Sequence, residues 1–285
     1  MLDLSQFILS GFADEIDADF GTQLNGLQEL GIGHIEIRGV NGSNISTLSA
    51  AQIAEVKRQL ESSGIRVSSI GSPVGKIQIT DDFNPHLDMF KRIMDTAHTL
   101  HSPYIRVFSF YIPEGQDAAQ YRNEVIDRMG AIVETAKGSG VMLVHENEKH
   151  IYGDTAERCL DLMTTLKADH WASAFDPANF IQCDVEVFPK AFELLKPYIK
   201  YVHIKDAQAD GQVVPAGYGT GRVEDVLRTL KADGYEGFLS LEPHLGSFKG
   251  LAQLEHTDWV DSLEQGGLHT FRVAHRALQA ILNRI

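Results

Sequence analysis

Short apolar runs alternate along this chain with longer segments in which apolar residues return every three or four positions. Runs of the first kind occupy residues 7–11, 34–37, 66–70, 104–110, 141–144, 171–175, 199–204 and 238–241. Their length and composition predict buried strands. Between them, Phe20, Leu24, Leu27 and Leu30 fall on one helical face, as do Ile53, Val56 and Leu60, and Leu87, Phe90, Ile93, Met94 and Ala97. The spacing predicts helices over 19–30, 48–60, 86–100, 118–137, 154–166, 188–195, 223–232 and 267–285. A glycine closes several of these just before the next strand, at Gly31, Gly64, Gly140 and Gly234.

Eight strand–helix repeats of this kind predict parallel βαβ units, and eight in a row predict a closed (β/α)₈ TIM barrel. A doubly wound open sheet is the competing arrangement. It gains no support, because no G-x-G-x-x-G follows the first strand. The 285 residues suit one such barrel, so residues 1–285 are expected to form a single domain.

Composition changes this picture only at the level of partners. Lys and Arg total 25 against 39 Asp and Glu, a formal net charge of −14, whereas nucleic acid and anionic membranes call for a basic footprint. Neither is expected as a partner. The two cysteines, Cys159 and Cys183, stand in no metal-binding spacing and fit a reduced chain. The opening M-L-D-L-S-Q-F-I-L-S-G lacks a basic start, and no apolar run reaches the ~18 residues of a membrane span. The expectation is a cytoplasmic protein, free to form a homo-oligomer.

The chemistry gathers where strands end. Residues 141–154 read V-M-L-V-H-E-N-E-K-H-I-Y-G-D, an apolar strand opening into six consecutive polar or ionisable residues. The next three strands repeat the layout, in F-D-P-A-N-F, V-H-I-K-D and L-E-P-H. Thus Glu146, Asp176, His203 and Glu242 each follow an apolar strand core, at the C-terminal rim where barrels of this type place their active sites. Taken alone, a histidine after a strand is more often a hydrogen-bonded core residue. Three carboxylates and one imidazole converging on one mouth suit a single divalent cation that accepts oxygen: Mn²⁺ first, with Mg²⁺, Co²⁺ or Zn²⁺ as alternatives.

From S-G-F-A-D-E to L-E-P-H-L the chain resembles the sugar phosphate isomerase/epimerase family of xylose isomerase-like TIM barrels. The H-x-K-D of residues 203–206, followed by G-Y-G-T-G at 217–221, is the most family-specific piece. The resemblance implies that Glu146, Asp176, His203 and Glu242 bind the metal, and that Glu146 and Glu242 also exchange protons with substrate. The family is broad and includes ketose epimerases, aldose–ketose isomerases, dehydratases, lyases and AP-site endonucleases. Similar endonucleases carry further histidines, one of them three residues after the strand-six aspartate. Here that position is Asn179, and no Asp-x-His follows His203 closely, so the endonuclease branch fits poorly. Similar ketose epimerases also tend to hold substrate with a histidine at that place, which makes Asn179 a substrate-binding candidate and leaves the substrate open.

Four cations, Arg38, Lys76, Lys149 and Lys205, lie at or just beyond strand ends. They could meet a substrate carboxylate, phosphate or oxyanion, or pair with Glu36, Glu148 and Asp206. His145 adjoins Glu146; it faces the helical layer if the strand continues and turns inward if it has ended. Glu148, His150 and His244 are similar cases. S-P-V-G-K at 72–76 reads equally as pocket lining or tight turn. Phe12, Phe108, Phe110 and Trp171 read as barrel core rather than as sugar-stacking platforms.

The resemblance implies a small sugar or polyol carbonyl compound as substrate, and the ligand set supplies the physical case for the reaction. A divalent ion bound to two neighbouring sugar oxygens acidifies the C–H beside the carbonyl and stabilises an enediolate. One carboxylate removes the proton and another returns it. Return to the opposite face epimerises, return to the neighbouring carbon isomerises, and loss of a β-substituent gives a lyase or dehydratase. A metal-dependent hydrolase and a non-catalytic sugar-binding subunit are the remaining alternatives.

Overall fold

The apolar runs become strands buried on both faces, as parallel sheets require when helices cover them. The computed structural model describes residues 7–245 and 267–285; residues 1–6, at the start of the segment expected not to be a signal peptide, lie outside the described residues. Leaving aside two hairpins of two-residue strands, the barrel strands in chain order are β1 (Ile8–Gly11), β2 (His34–Ile37), β3 (Arg66–Gly71) and β4 (Tyr104–Val107). They continue with β5 (Met142–Glu146), β6 (Trp171–Phe175), β7 (Ile199–Ile204) and β8 (Phe238–Leu241). All pair in parallel in the order β1-β8-β7-β6-β5-β4-β3-β2, and β1 packs beside β2 to complete the ring. This is the expected (β/α)₈ barrel.

Helices α1 (Phe20–Glu29), α2 (Ala50–Ser63), α3 (Asn84–Thr99), α4 (Arg122–Ala136) and α5 (Ala156–Leu166) follow the first strands. Local chemistry sets their ends. Asp19 caps α1 by accepting the Thr22 amide, and Ser49 with Gln52 forms a capping box on α2, which Gly64 closes at φ 71°. Short α6 (Pro177–Ile181) and α7 (Phe192–Leu195), then α8 (Val223–Ala232) and α9 (Leu268–Leu282), complete the layer. Among the described residues no helix is long and apolar enough to cross a membrane.

Three elements depart from the pattern expected of them. β4 stops at Val107 rather than running to residue 110, because Phe108 and Phe110 donate their amides to the Val74 and Gly75 carbonyls and Phe110 turns to φ 65°. Residues 118–137 divide into a 3₁₀ turn (Ala118–Tyr121) and α4. Residues 188–191 do not continue a regular α-helix: Phe188 is extended at φ −131°, as a residue before proline prefers, and α7 begins only at Phe192.

Inside the barrel, Val144, Ala172, Ala174, Tyr201 and Phe238 form a core of their own, separate from the layer between strands and helices. Side chains on a strand alternate in direction, so the residues two further along share that inward face. From Val144, Ala174, Tyr201 and Ser240 the next such positions are Glu146, Asp176, His203 and Glu242.

Candidate metal centre at the barrel mouth

Those four side chains meet. Ligand atoms from Glu146, Asp176, His203 and Glu242 all lie within 4.8 Å of one another, and all four residues are buried. His203 Nδ1 is 3.1 Å from Glu146 Oε1 and 3.9 Å from both Asp176 Oδ2 and Glu242 Oε2. Asp176 also caps α6, accepting the Asn179 amide through Oδ1, which leaves Oδ2 turned to the cluster. Glu146 Oε2, Asp176 Oδ2 and His203 Nδ1 are buried without an aligned hydrogen bond, although Arg106 and Lys205 stand at ion-pair distance from the two carboxylates. Buried polar atoms are rarely left so. Lone pairs from three oxygen donors and one nitrogen, aimed at a common point, fit a divalent cation.

Cations ring this cluster. Lys205 Nζ lies 3.0 Å from Asp176 Oδ2 and 2.9 Å from Glu242 Oε2, rather than on its neighbour Asp206. Arg38 Nη1 reaches Glu242 Oε1 at 3.0 Å while its other nitrogens grip Asp14 and Glu15, so its partners are not Glu36. Arg106 Nη1 is 3.1 Å from Glu146 Oε2. The two guanidiniums stack on one ring, with Phe12 centred 4.5 Å from Arg38 and 5.1 Å from Arg106. Phe108 carries Arg106 at 4.6 Å and Lys76 at 4.2 Å, and Lys76 pairs with Glu148. Phe12 and Phe108 are fully buried, as core residues are, yet they serve as the shelf beneath the cations.

The protonation pattern follows from this crowding. Burial raises the Glu146 carboxyl, but His203 and Arg106 outweigh it and hold it at about 2. At Asp176 burial wins, lifting the carboxyl to about 7 against the pull of Lys205. Burial opposes the charge on His203, yet Glu146 and Glu36 keep its imidazole protonated well above the ordinary range. A cation taking Nδ1 therefore displaces a proton.

Two substrate-binding candidates sit differently from expectation. His145 lies on the helix-facing side of β5: it is fully buried, its Nε2 is 2.9 Å from Ser109 Oγ, and its ring packs 5.9 Å from Trp171. The strand has not ended at residue 145, so alternation turns this side chain away from the mouth. Asn179 is at the mouth but is engaged, its Nδ2 donating to Glu146 Oε1 and to the Asn147 carbonyl. Its amide orients Glu146. His244 stands at the rim, half-exposed, with Nε2 3.2 Å from Glu15 Oε1 and 3.5 Å from Glu242 Oε1. Lys149 reaches Gln182. Glu36, Arg106, Asp14 and Glu15 belong to the same constellation and were not among the sequence candidates for the site. The periodicity offered a signal for Arg106 and Glu36, each a lone charge within an apolar strand.

The glycine-rich run at 217–221 is a nest of amides already filled from within the chain. Asp206 Oδ2 accepts the Gly217 and Gly219 amides at 2.9 and 3.0 Å, and Oδ1 accepts those of Gly221 and Ala207 at 2.9 Å. A Cβ on Gly219 would overlap the Ala207 carbonyl.

Residues 24–264 match the family described as Xylose isomerase-like TIM barrel. No curated protein matches the chain by sequence. Among solved structures, the chain is similar to a protein named IOLI with a bound zinc atom, at TM-score 0.75 and 16% identity over 98% of this chain and 99% of that one. It is similar also to D-psicose 3-epimerase with D-tagatose from Clostridium cellulolyticum H10 (TM-score 0.72, 15% identity, 96% and 98% covered). A third is a xylose isomerase-like TIM barrel protein from Mycobacterium smegmatis in complex with magnesium (TM-score 0.70, 20% identity, 98% of both chains).

Proposed function

The chain belongs to the xylose isomerase-like TIM barrel family, and from that premise we propose that it is a divalent-metal-dependent isomerase or epimerase of a ketose, keto-sugar or related polyol carbonyl compound. The observation that carries this reading is the convergence of Glu146, Asp176, His203 and Glu242 within 4.8 Å at the C-terminal rim. Neighbours in structure that hold zinc or magnesium, or that are a ketose epimerase, support it. A cation held there would polarise the substrate carbonyl and acidify the C–H beside it. Mn²⁺ is the first choice for an oxygen-rich set of this kind, with Mg²⁺, Co²⁺ and Zn²⁺ as alternatives.

The chain's own residues supply the rest. Glu146 and Glu242 come from strands three apart round the ring, so a substrate between them meets a carboxylate on either side. Each is held by two polar partners. Arg106 and Asn179 hold Glu146, while Arg38 and Lys205 hold Glu242. One carboxylate takes the proton from carbon and the other returns one, to the opposite face for epimerisation or to the neighbouring carbon for isomerisation. Lys205, with one ammonium shared by two carboxylates, is placed to donate to a substrate oxygen as well. Arg38 and Lys76, each partly open to solvent, line the approach.

Incubating the metal-loaded protein with a panel of free ketoses in D₂O and following deuterium at carbon tests the reading directly. Exchange into one ketose identifies the substrate class, and none across the panel counts against an isomerase or epimerase. Glu146→Gln and Glu242→Gln should each lower turnover roughly 10²-fold or more, with metal occupancy measured alongside. A Glu242→Gln protein that keeps its metal and its rate removes Glu242 from proton transfer.

A further inference from the structure

The metal centre proposed above needs His203 to give up its proton on Nδ1 and keep the one on Nε2, and a carboxylate faces each nitrogen. Glu146 Oε1 lies 3.1 Å from Nδ1, and Glu36 Oε2 lies 3.1 Å from Nε2. A neutral imidazole carries its proton on one nitrogen only, and which one is set by the hydrogen bond the other face makes. If the proton rests on Nδ1, facing Glu146, the ring cannot bind a cation on that side. If it rests on Nε2, facing Glu36, the Nδ1 lone pair is free. We propose that Glu36 is a positioning residue that pins this proton on Nε2 and so makes His203 a metal ligand. The inference rests on the metal-centre reading.

The fold is built to put Glu36 there. Its side chain is fully buried at the end of β2, and its other oxygen, Oε1, has no hydrogen-bond partner. Pairing of β2 with β3 slips between Ile35 and Glu36: Ile35 faces Val67 but Glu36 faces Ser69, so Ser68 is an extra residue on β3. Bulges of this sort re-aim side chains beside sites. Ser68 hydroxyl donates to the Ile35 carbonyl and so satisfies the backbone group at the slip. On the remaining side, the rings of Phe12 and Tyr201 stand edge-on to the imidazole at 5.3 and 5.7 Å and hold its plane. Among the described residues no Lys or Arg pairs with Glu36, and a buried carboxylate set against the far nitrogen of a ligand-bearing ring has an orienting role as its clearest use.

The experiment uses the full chain and two probes, Zn²⁺ and Mn²⁺, each titrated in competition with a chelator, on wild type, Glu36→Ala, Glu36→Gln and His203→Ala. Glu36→Ala should bind both ions about 10–100-fold more weakly than wild type. Glu36→Gln keeps an acceptor oxygen in the same place and should lose less. The second readout is spectroscopic. With ¹⁵N-labelled histidine and Zn²⁺ bound, His203, assigned by its loss in His203→Ala, should show the Nε2–H tautomer in wild type. Glu36→Ala should move that Nε2–H proton upfield and speed its exchange with water, because it loses the Glu36 carboxylate as acceptor, which a merely structural role would not do. Affinity within threefold of wild type for both Glu36 variants, or an unchanged Nε2–H signal in Glu36→Ala, overturns the inference while the metal centre stands. Wild type that binds neither ion more tightly than His203→Ala overturns the metal centre, and the inference with it.

Discussion

At the scale of single residues, function here depends on which direction a side chain takes from a strand. Glu146, Asp176, His203 and Glu242 were legible in the sequence because each comes just past an apolar strand core, and period-2 alternation does the rest. The same rule removes His145, one position from a ligand yet facing the helices against Ser109. Glu36 and Arg106 were harder to see. Glu36 was visible only as an acid available to some cation, since its true partner is 167 residues away. Asp206 illustrates a related point. In sequence it reads as an acid for Lys205 beside a glycine-rich run, whereas in space it is the anion that the run encloses, with four backbone amides on its two oxygens. Removing it would strand those amides in a buried site, and each such loss costs about 1–3 kcal/mol. Asp206→Ala should therefore lower stability by about 3 kcal/mol or more, read as the shift in a urea unfolding midpoint, and Asp206→Asn by less. An unchanged midpoint would mean the loop does not depend on this carboxylate.

At the scale of elements, the strand cores and most helices followed from periodicity, and the misses fall where tertiary contacts override it. The clearest is the loop after β3. Residues 72–76 read equally as pocket or turn, and they form a turn bound to the end of β4, with Gly75 at φ 87° against the Phe108 backbone. A Cβ there would overlap the Phe108 carbonyl oxygen, and the backbone angle disfavours any other residue. Gly75→Ala should cost at least about 3 kcal/mol and move the Phe108 shelf under Lys76 and Arg106, so unfolding and turnover should both suffer. The same loop carries a pH dependence. The Gly75 amide donates to His86 Nε2 at 2.7 Å, so this ring must be neutral there, and burial with nearby Arg128 lowers it from 6.5 to about 4. His34 is lowered to about 4 by burial and Arg66. Between these values the unfolded chain binds protons that the folded chain refuses. The stabilisation is thus complete above about 6.5 and is lost as pH falls through the window to about 4. Asp176, raised to about 7, opposes this over the same window, so the gap in thermal midpoint between wild type and His86→Gln is the readout, and it should narrow as pH falls from 6.5 to 4. A gap that stays constant from pH 6.5 to 4 would show that His86 is not held neutral by the fold.

At the scale of the whole molecule, the repeat of eight strand–helix units was the strongest signal in the chain, because every unit must agree with its neighbours for the ring to form. A net charge of −14 gives the molecule no general attraction for anions, so a phosphorylated substrate would need a local grip. Barrels of this type often provide one after the seventh and eighth strands. Here the amide nest after β7 is closed on Asp206, which already satisfies it with a negative charge. The cations nearest the cluster are committed too, with Arg38 on Asp14, Glu15 and Glu242, Arg106 on Glu146, and Lys205 on Asp176 and Glu242. Lys76, paired with Glu148 at 3.3 Å and about a third exposed, and Lys149, which reaches the neutral Gln182, are less committed, and isolated lysines make a weak phosphate site. The free sugar should therefore be used about as well as its ester. The measurement is kcat/KM for a ketose that exchanges deuterium and for its phosphate ester, at one ionic strength. A preference for the ester above about a hundredfold, ~2.7 kcal/mol, would require a strong phosphate contact in the transition state. Asp206 would then have to leave its nest for the ester to enter, whereas a nest that stays closed on Asp206 leaves the wild-type ratio near one.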